Sequence, residues 1–272
     1  MKSNQQQGLL PTTKGAPVTK PARLYKYVPP TEWAFKNLVR NQLWFSSPQG
    51  FNDPYDCQVP LELSKPADAE LVAIVHGSLS GVPAQVAQEK LARLLPGGSP
   101  SSLVREQVES AYAKLFEEQR STNLTKRGVC CFSEQLDSFP MWGHYSDSHQ
   151  GFCLEFDTTF DPFQKVHAVS YTDARPVVNA SSLILGDDSD ALITMVATKA
   201  ACWAYEKEWR VIHMEADTAY GYEPAALTAV YLGMQANDDT RFKVSTIVKG
   251  TAAKVYQMER DETAFRLVPK LL

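Results

Sequence analysis

The amino-acid sequence predicts an α+β fold built around a mixed, partly antiparallel central sheet. Short apolar runs of strand length occur near both ends of the chain, whereas residues 67–121 carry apolar side chains at helical spacing. Strands and helices do not alternate one by one, as they do in a doubly wound fold. The glycine-rich phosphate loops of nucleotide-binding α/β folds have no match in the sequence.

The composition indicates one domain with a substantial core. The chain has 272 residues, of which 44% are hydrophobic, and its 5 Trp, 11 Tyr and 12 Phe need a core or a ligand to cover them. We therefore predict a single domain over residues 23–272, with a helical insertion at residues 67–121. Residues 1–22 are rich in Gln, Thr, Lys and Pro and lack periodicity, so we interpret them as a flexible tail.

Charge and apolar patterning exclude several classes of function. A net charge of −4 and a pI of about 5.8 argue against a protein that coats nucleic acid in bulk, but they are compatible with an enzyme acting on one nucleotide. No apolar run approaches the roughly 20 residues of a membrane span, and the N-terminus lacks a signal-peptide pattern. We expect a cytoplasmic protein with no membrane partner.

The cysteines and histidines predict neither disulfides nor a metal site. The cysteine count is odd, and the sequence contains no Cys-x-x-Cys and no His-x-x-x-His pair. We expect buried apolar thiols in a reducing compartment. The cysteines are Cys57, Cys130, Cys131, Cys153 and Cys202.

Hydrophobic periodicity and helix-capping signals predict the individual elements. Thr31 is a suitable N-cap, and glycine and proline residues divide the insertion into about three helices. In the first half we predict a strand at 23–28, a helix at 32–41, a strand at 43–46 and a loop at 47–56. In the second half we predict strands at 128–133, 151–157, 166–172, 209–214, 229–233, 254–258 and 265–268, and helices at 191–205 and 238–248.

Two tyrosines on the first strand form the first candidate site. Strand alternation puts Tyr25 and Tyr27 on one face and Lys26 on the other. Two rings so close together offer stacking surfaces for a flat heterocycle. The structural alternative, an aromatic pair packed on the core, is favoured by this motif taken alone.

The loop at 47–56 contains Asn52 and Asp53 in a turn sequence. Asn and Asp side chains cap their own backbone, which explains both residues without a ligand. An exposed amide and carboxylate are equally suited to hold ribose hydroxyls. The structural and functional interpretations carry equal weight here.

Polar and aromatic side chains are concentrated after the strand that ends at Ser133. Trp142, His144 and Tyr145 supply two stacking surfaces and one titratable donor within four positions. A lone histidine is usually a satisfied core residue, but these neighbours make His144 a candidate for a pocket.

Glu206, Glu208 and Arg210 form the densest polar motif. On an extended backbone the three side chains share one face, and Trp209 points the opposite way. A solvated ion pair is the ordinary interpretation of such charges. The aromatic crowding around Trp203 and Trp209 instead implies partial burial, which makes a carboxylate here a candidate for catalysis.

Six motifs follow one another along the chain from about Leu24 to the C-terminal part. They are Leu24-Tyr25-Lys26-Tyr27, Phe51-Asn52-Asp53-Pro54-Tyr55-Asp56, Cys131-Phe132-Ser133, Met141-Trp142-Gly143-His144-Tyr145, His149-Gln150-Gly151-Phe152 and Tyr205-Glu206-Lys207-Glu208-Trp209-Arg210. Together they resemble a bacterial family catalogued as domain of unknown function 2971. That resemblance implies no activity.

The order of elements is similar, more distantly, to that of ADP-ribosyltransferases of the toxin and defence type. In those enzymes an early strand carries an aromatic or His motif, a middle strand a Phe-Ser-like segment, and a late strand the catalytic glutamate. Tyr25 and Tyr27 correspond loosely to the first motif, where the usual His or Arg is replaced by Tyr or Lys. Ser133 corresponds to the second motif and Glu208 to the third.

The resemblance implies an NAD-dependent ADP-ribosyltransferase or glycohydrolase, of the kind used as a toxin or antiphage effector against nucleic acid or protein. NAD is then the expected substrate, without a metal. The alternatives are a non-catalytic nucleotide- or protein-binding module on the same fold and a hydrolase that uses His144 with a carboxylate. The implied catalytic residues are Glu208 and Glu206, and the implied NAD-binding residues are Tyr25, Tyr27, Asn52, Asp53, Ser133, Trp142, His144, Tyr145 and Arg210.

Overall fold

The computed structural model of the protein describes residues 19–57, 62–174, 176–179 and 189–272. Its strands are β1 (Arg23–Val28), β2 (Gln42–Phe45), β3 (Glu62–Ser64), β4 (Gly128–Ser133), β5 (Phe152–Asp157), β6 (His167–Ala168), β7 (Ser170–Tyr171), β8 (Val177–Asn179), β9 (Thr198–Lys199), β10 (Glu208–His213), β11 (Thr218–Gly221), β12 (Leu227–Leu232), β13 (Lys254–Arg260) and β14 (Leu267–Leu271). Its α-helices are α1 (Glu32–Val39), α2 (Asp68–Ser78), α3 (Ala84–Leu94), α4 (Ser102–Lys126), α5 (Phe139–Tyr145), α6 (Ser189–Val196) and α7 (Asp238–Val248).

The central sheet is mixed and mostly antiparallel, which confirms the predicted α+β class. In the described part of the chain it has eight strands in the order β14-β13-β12-β5-β1-β4-β10-β6. The β12–β13 pair is parallel, and the other neighbouring pairs are antiparallel. The described residues also form three separate two-stranded ladders, namely β2–β11, β3–β8 and β7–β9.

One face of the sheet forms the main hydrophobic core together with α1 and α7. Helix α1 begins at the N-cap Thr31, whose side chain accepts a hydrogen bond from the amide of Ala34. Buried residues of both helices pack against alternate residues of the central strands, so the apolar stripe of each helix is covered. The core includes Leu24, Phe35, Leu38, Phe152, Leu154, Phe156, Val230, Leu232, Val244 and Val248.

Strands β1 and β4 separate from one another over most of their length, and this leaves a gap within the central sheet. Strand β1 pairs with β5 from Arg23 to Val28, and β4 pairs with β10 along its whole length. Between β1 and β4, both fully described, the register contains the single pair Tyr25↔Ser133. The two halves of the sheet therefore meet at one point and diverge from it, which leaves a V-shaped gap.

The helices predicted in residues 67–121 are present as α2, α3 and α4. Helix α4 is the longest, with 25 residues, and it continues to Lys126. Phe116 of α4 is buried against Cys57 and the partly buried Phe51, so this helix backs the loop that follows β2. Among the described helices, including α4, none has the length and apolar character needed to cross a membrane.

The helix predicted at 191–205 is wrong in its second half. Helix α6 ends at Val196, β9 follows, and a 3₁₀ helix spans Ala201–Glu206. The cause lies in Lys199, whose backbone pairs with Tyr171 and whose ammonium is bound by buried carboxylates. Tertiary ion pairing here outweighs the helical propensity of the local sequence.

Two predicted strands differ from the observed ones. The strand predicted at 166–172 is divided at Val169, because β6 pairs with β10 whereas β7 pairs with β9. The strand predicted at 265–268 begins later, as β14, because Asp261 accepts a hydrogen bond from the amide of Thr263 and holds a turn. Helix α5 and strand β11 were not predicted, and both are short and contain glycine.

The predicted tail at residues 1–22 lies mostly outside the described residues. Its last residues are described, and they contact Thr158. Lys20 Nζ donates to the carbonyl of Thr158 at 2.7 Å, and Thr158 Oγ1 donates to the carbonyl of Pro21 at 2.6 Å. These residues are therefore part of the folded surface next to the end of β5.

Gly233 is a position where the fold excludes any side chain. A Cβ added there would lie 2.1 Å from the carbonyl oxygen of His149, which is backbone and cannot move aside easily. We expect Gly233→Ala to lower the free energy of unfolding by about 1–3 kcal/mol, as overpacking does. Urea unfolding measures the change.

Gly77→Ala is the matched control for this substitution. Gly77 lies in α2, and a Cβ there meets nothing within 4 Å. Alanine is favoured over glycine in helices by roughly 0.5–1 kcal/mol, so the control should be neutral or slightly more stable. Equal stability of Gly233→Ala and Gly77→Ala would contradict the close approach of these two chain segments.

Candidate functional site

A cavity of about 360 Å³ occupies the gap between β1 and β4. Its walls come from these two strands, from the loop that follows β2, from α5, and from the segment around β9 and the start of β10. The cavity brings together most of the residues predicted to form the site. Those that line it are Tyr25, Tyr27, Asn52, Ser133, His144, Tyr145, Glu206 and Glu208.

Three residues predicted for the site do not line this cavity. Trp142 is fully buried, donates its indole N–H to the carbonyl of Leu136 at 2.7 Å, and is a core residue beneath the site. Asp53 accepts a hydrogen bond from the amide of Tyr55 at 2.9 Å, which agrees with the turn-capping interpretation. Arg210 is enclosed behind Glu208 and reaches the site only through other side chains.

Tyr25, Ser133 and Glu208 lie side by side on three adjacent strands. The register pairs Tyr25 with Ser133 and Ser133 with Glu208. Directly paired residues project from the same face of a sheet, so the three side chains form one row across β1, β4 and β10. Ser133 Oγ also donates to the carbonyl of Glu206 at 2.6 Å and ties the two glutamates to the middle strand.

A buried cluster of five charged side chains closes one end of the cavity. The cluster contains two cations and three carboxylates, and each member is at most 5% exposed. Lys199 Nζ lies 2.6 Å from Glu206 and 3.3 Å from both Glu208 and Asp56. Arg210 donates from Nε to Glu208 at 2.8 Å and approaches Asp56 to 2.7 Å.

Asp56 and Lys199 belong to the candidate site but were not predicted for it from the sequence. Asp56 ends a loop whose composition indicates only turns, and Lys199 lies inside a segment with a helical pattern. A signal for Asp56 was present, because its motif recurs with the other five motifs in the family resemblance. Nothing local distinguishes Lys199 from a surface lysine.

A left-handed residue lets both glutamates reach the same cation. Glu206 ends the 3₁₀ helix Ala201–Glu206, and Glu208 begins β10. Lys207 between them has φ 43° and ψ 56°, a conformation that costs energy for a residue with a side chain. The carboxylates therefore converge on Lys199 by a sharp turn and not by the regular alternation of an extended strand.

The two glutamates have opposite pKa shifts. Burial by itself raises the pKa of Glu208, but Arg210 and Lys199 lower it to about 2. Burial raises the pKa of Glu206 above its ordinary value, although Lys199 and the hydroxyl of Tyr145, which donates to it at 2.6 Å, oppose this. Paired carboxyl groups with separated pKa values are typical of sites in which one stays ionised while the other exchanges a proton.

Aromatic side chains form the rest of the cavity wall. Tyr25 and Tyr27 lie on the sheet side, and Trp44 and Phe51 lie on the loop side. His144 is exposed at the rim, where its ring contacts Tyr145 edge-on. The cavity thus combines flat apolar walls with one strongly polar end, the usual character of a small-molecule site.

Arg210 should be essential for stability because its removal leaves buried carboxylates without a partner. We expect Arg210→Met to lower the free energy of unfolding by about 3–5 kcal/mol, as measured by urea unfolding. Arg105→Met is the control, because Arg105 forms an ion pair with Asp68 at the surface and should change stability little. Similar losses in both variants would contradict the role of Arg210.

Stability should also depend on pH through Glu208. Because its pKa is depressed in the folded protein, its ionised form contributes stability that is complete above its ordinary pKa of 4.5 and is lost as the pH falls through about 2. The difference in unfolding free energy between wild type and Glu208→Gln should therefore shrink from about pH 5 to about pH 2. Urea unfolding at several pH values tests this, and a constant difference would contradict it.

One comparison with known protein families covers the residues of the candidate site that lie between positions 141 and 211. The model of a family described as a protein of unknown function (DUF2971) matches residues 141–211, which contain all of α5 (Phe139–Tyr145) except its first two residues, the carboxylate pair and Arg210. No match was found among curated proteins or among solved structures. The family match supports the resemblance to DUF2971 that the sequence motifs indicate.

Proposed function

We propose that the protein binds NAD in the cavity between β1 and β4 and cleaves its nicotinamide–ribose bond, as an ADP-ribosyltransferase or NAD glycohydrolase. The observation that carries the proposal is the row of Tyr25, Ser133 and Glu208 across three adjacent strands. The three motifs expected from the resemblance to ADP-ribosyltransferases thus meet at one cavity, although Tyr25 and Ser133 are 108 positions apart in the sequence (133 − 25).

Glu208 is suited to stabilise the transition state of this reaction. Breaking the bond between ribose C1′ and the nicotinamide nitrogen leaves the electron pair on nicotinamide and develops positive charge on the ribose, as in glycoside hydrolysis. Glu208 stays ionised because Arg210 and Lys199 lower its pKa, so it presents negative charge to that cation. The same carboxylate is suited to accept a hydrogen bond from a ribose hydroxyl.

Glu206 is suited to receive the proton of the acceptor. The acceptor oxygen forms the new bond to C1′ and must lose a proton, which passes to Glu206 in its ionised form. A raised pKa makes Glu206 a better base than an ordinary carboxylate, and Lys199 and Tyr145 hold it in position. With water as the acceptor the product is ADP-ribose.

The aromatic walls are suited to hold the nicotinamide and exclude water. Tyr25, Tyr27 and Phe51 offer ring surfaces next to the carboxylates, and His144 at the rim offers a hydrogen-bond donor. A cavity of about 360 Å³ is within the usual size range of ligand sites and fits the nicotinamide–ribose half of the dinucleotide. A nucleic-acid or protein acceptor, as in the toxin and defence enzymes, then approaches from the open rim.

The test is nicotinamide release from NAD by wild type and Glu208→Gln. The substitution keeps shape and hydrogen bonding but removes the charge, and we expect the rate to fall by about 10²–10³-fold. Glu259→Gln is the matched control, because Glu259 lies on β13 in an exposed ion pair with Lys270 and should leave the rate unchanged. Circular dichroism confirms that each variant is folded.

The alternative functions give different results in the same assay. Equal rates for wild type and Glu208→Gln would remove Glu208 from the mechanism. Release that survives in Glu208→Gln but is lost in His144→Asn would favour the hydrolase. NAD binding without release, in the presence of nucleic-acid and protein acceptors, would favour the binding module.

A further inference from the structure

We propose that Lys26 forms an anion-binding subsite in this cavity and takes a phosphate group of the ligand. The inference rests on the proposed function for the identity of the ligand as a dinucleotide. It adds that the cavity distinguishes a phosphorylated nucleotide from the corresponding nucleoside.

The position of Lys26 at the gap is the first argument. Lys26 lies on β1 just past Tyr25, where β4 has already separated from β1, and it lines the cavity. Its ammonium donates to the carbonyl of Cys131 at 3.3 Å across the gap and lies 5.5 Å from the ring centre of Phe132. Lys26 projects from the face of β1 opposite Tyr25, and a regular β1–β4 ladder would have separated it from the row of Tyr25, Ser133 and Glu208. Because the strands diverge, the cavity extends into the gap between them and includes both Lys26 and Phe132 in its lining.

The distribution of charge in the cavity is the second argument. Two lysines line it, and Lys199 is surrounded by Asp56, Glu206 and Glu208. Among the described residues, no carboxylate oxygen lies within 4.0 Å of the Lys26 nitrogen. A half-buried charge without a counter-ion is costly, and a bound anion removes that cost.

Lys26 remains charged in this environment. Burial by itself lowers its pKa, but the neighbouring thiols of Cys130 and Cys131 and, to a smaller extent, Glu208 raise the pKa above its ordinary value. An ammonium is a common ligand of phosphate oxygens, and it binds them as a point charge. The cavity therefore has a carboxylate end suited to the ribose and an ammonium suited to the phosphate next to it.

The experiment measures how Lys26→Met changes the binding of three probes by isothermal titration calorimetry. The probes are ADP-ribose, inorganic pyrophosphate and nicotinamide riboside, of which the last has no phosphate. We expect Lys26→Met to weaken the binding of ADP-ribose and of pyrophosphate by about 10- to 100-fold, the usual effect of one charged hydrogen bond. The affinity for nicotinamide riboside should stay within about twofold, because that probe makes no phosphate contact.

Two control variants separate charge from structure. Lys26→Arg keeps the positive charge and should retain most of the affinity for ADP-ribose. Lys254→Met removes an exposed lysine of the same sheet, outside the cavity, and should leave all three affinities unchanged. If Lys26→Met does not fold, competition of pyrophosphate against ADP-ribose on wild type provides the test, since a shared subsite requires mutual exclusion.

The outcomes distinguish this inference from the proposed function. An equal loss for all three probes, no loss for any, or failure of pyrophosphate to compete would overturn the phosphate subsite. Failure of the wild type to bind ADP-ribose and pyrophosphate would overturn it as well. Binding of ADP-ribose that depends on Lys26, without any release of nicotinamide from NAD, would support the subsite and reject the proposed catalysis.

Discussion

The buried contact of Arg210 with Glu208 and Asp56 is the interaction on which the candidate site depends. Arg210 is inaccessible to solvent, and besides the two carboxylates it donates to the carbonyl of Val196 at 2.6 Å. One side chain thereby joins β10, the loop after β2 and the end of α6. Because an unpaired charge at this depth costs several kcal/mol, none of these segments is stable in place without the others.

Lys199 adds a second cation to this buried contact and makes one end of the cavity strongly polar. Its ammonium donates to the third carboxylate, that of Glu206, so that three acids share two cations at one end of the gap. The same arrangement moves the pKa values of Glu206 and Glu208 in opposite directions. The divergence of β1 from β4 gives this polar end access to an aromatic chamber, and Lys26 brings a positive charge to the same space.

The sequence predicted correctly those elements whose boundaries are set by residues close to them in the chain. Helix α7 follows an N-cap at Asn237 and was predicted with its observed bounds, as was strand β4. The predictions were wrong where contacts with residues distant in the sequence determine the structure. Lys199 leaves the predicted helix because its carboxylate partners come from other segments, and Trp142 enters the core because Tyr27 and Leu136 cover it.

The sequence by itself determined the α+β class, most of the strands and the fact that the candidate site residues are concentrated in a few motifs. Hydrophobic periodicity, helix caps and turn residues act over short distances in the chain, so they can be recognised without the tertiary structure. Only the tertiary structure decided which motif residues share a cavity. Sheet register placed Tyr25, Ser133 and Glu208 in one row, and burial assigned Arg210 and Trp142 to supporting positions. Register and burial depend on contacts between residues far apart in the chain, which no local pattern encodes.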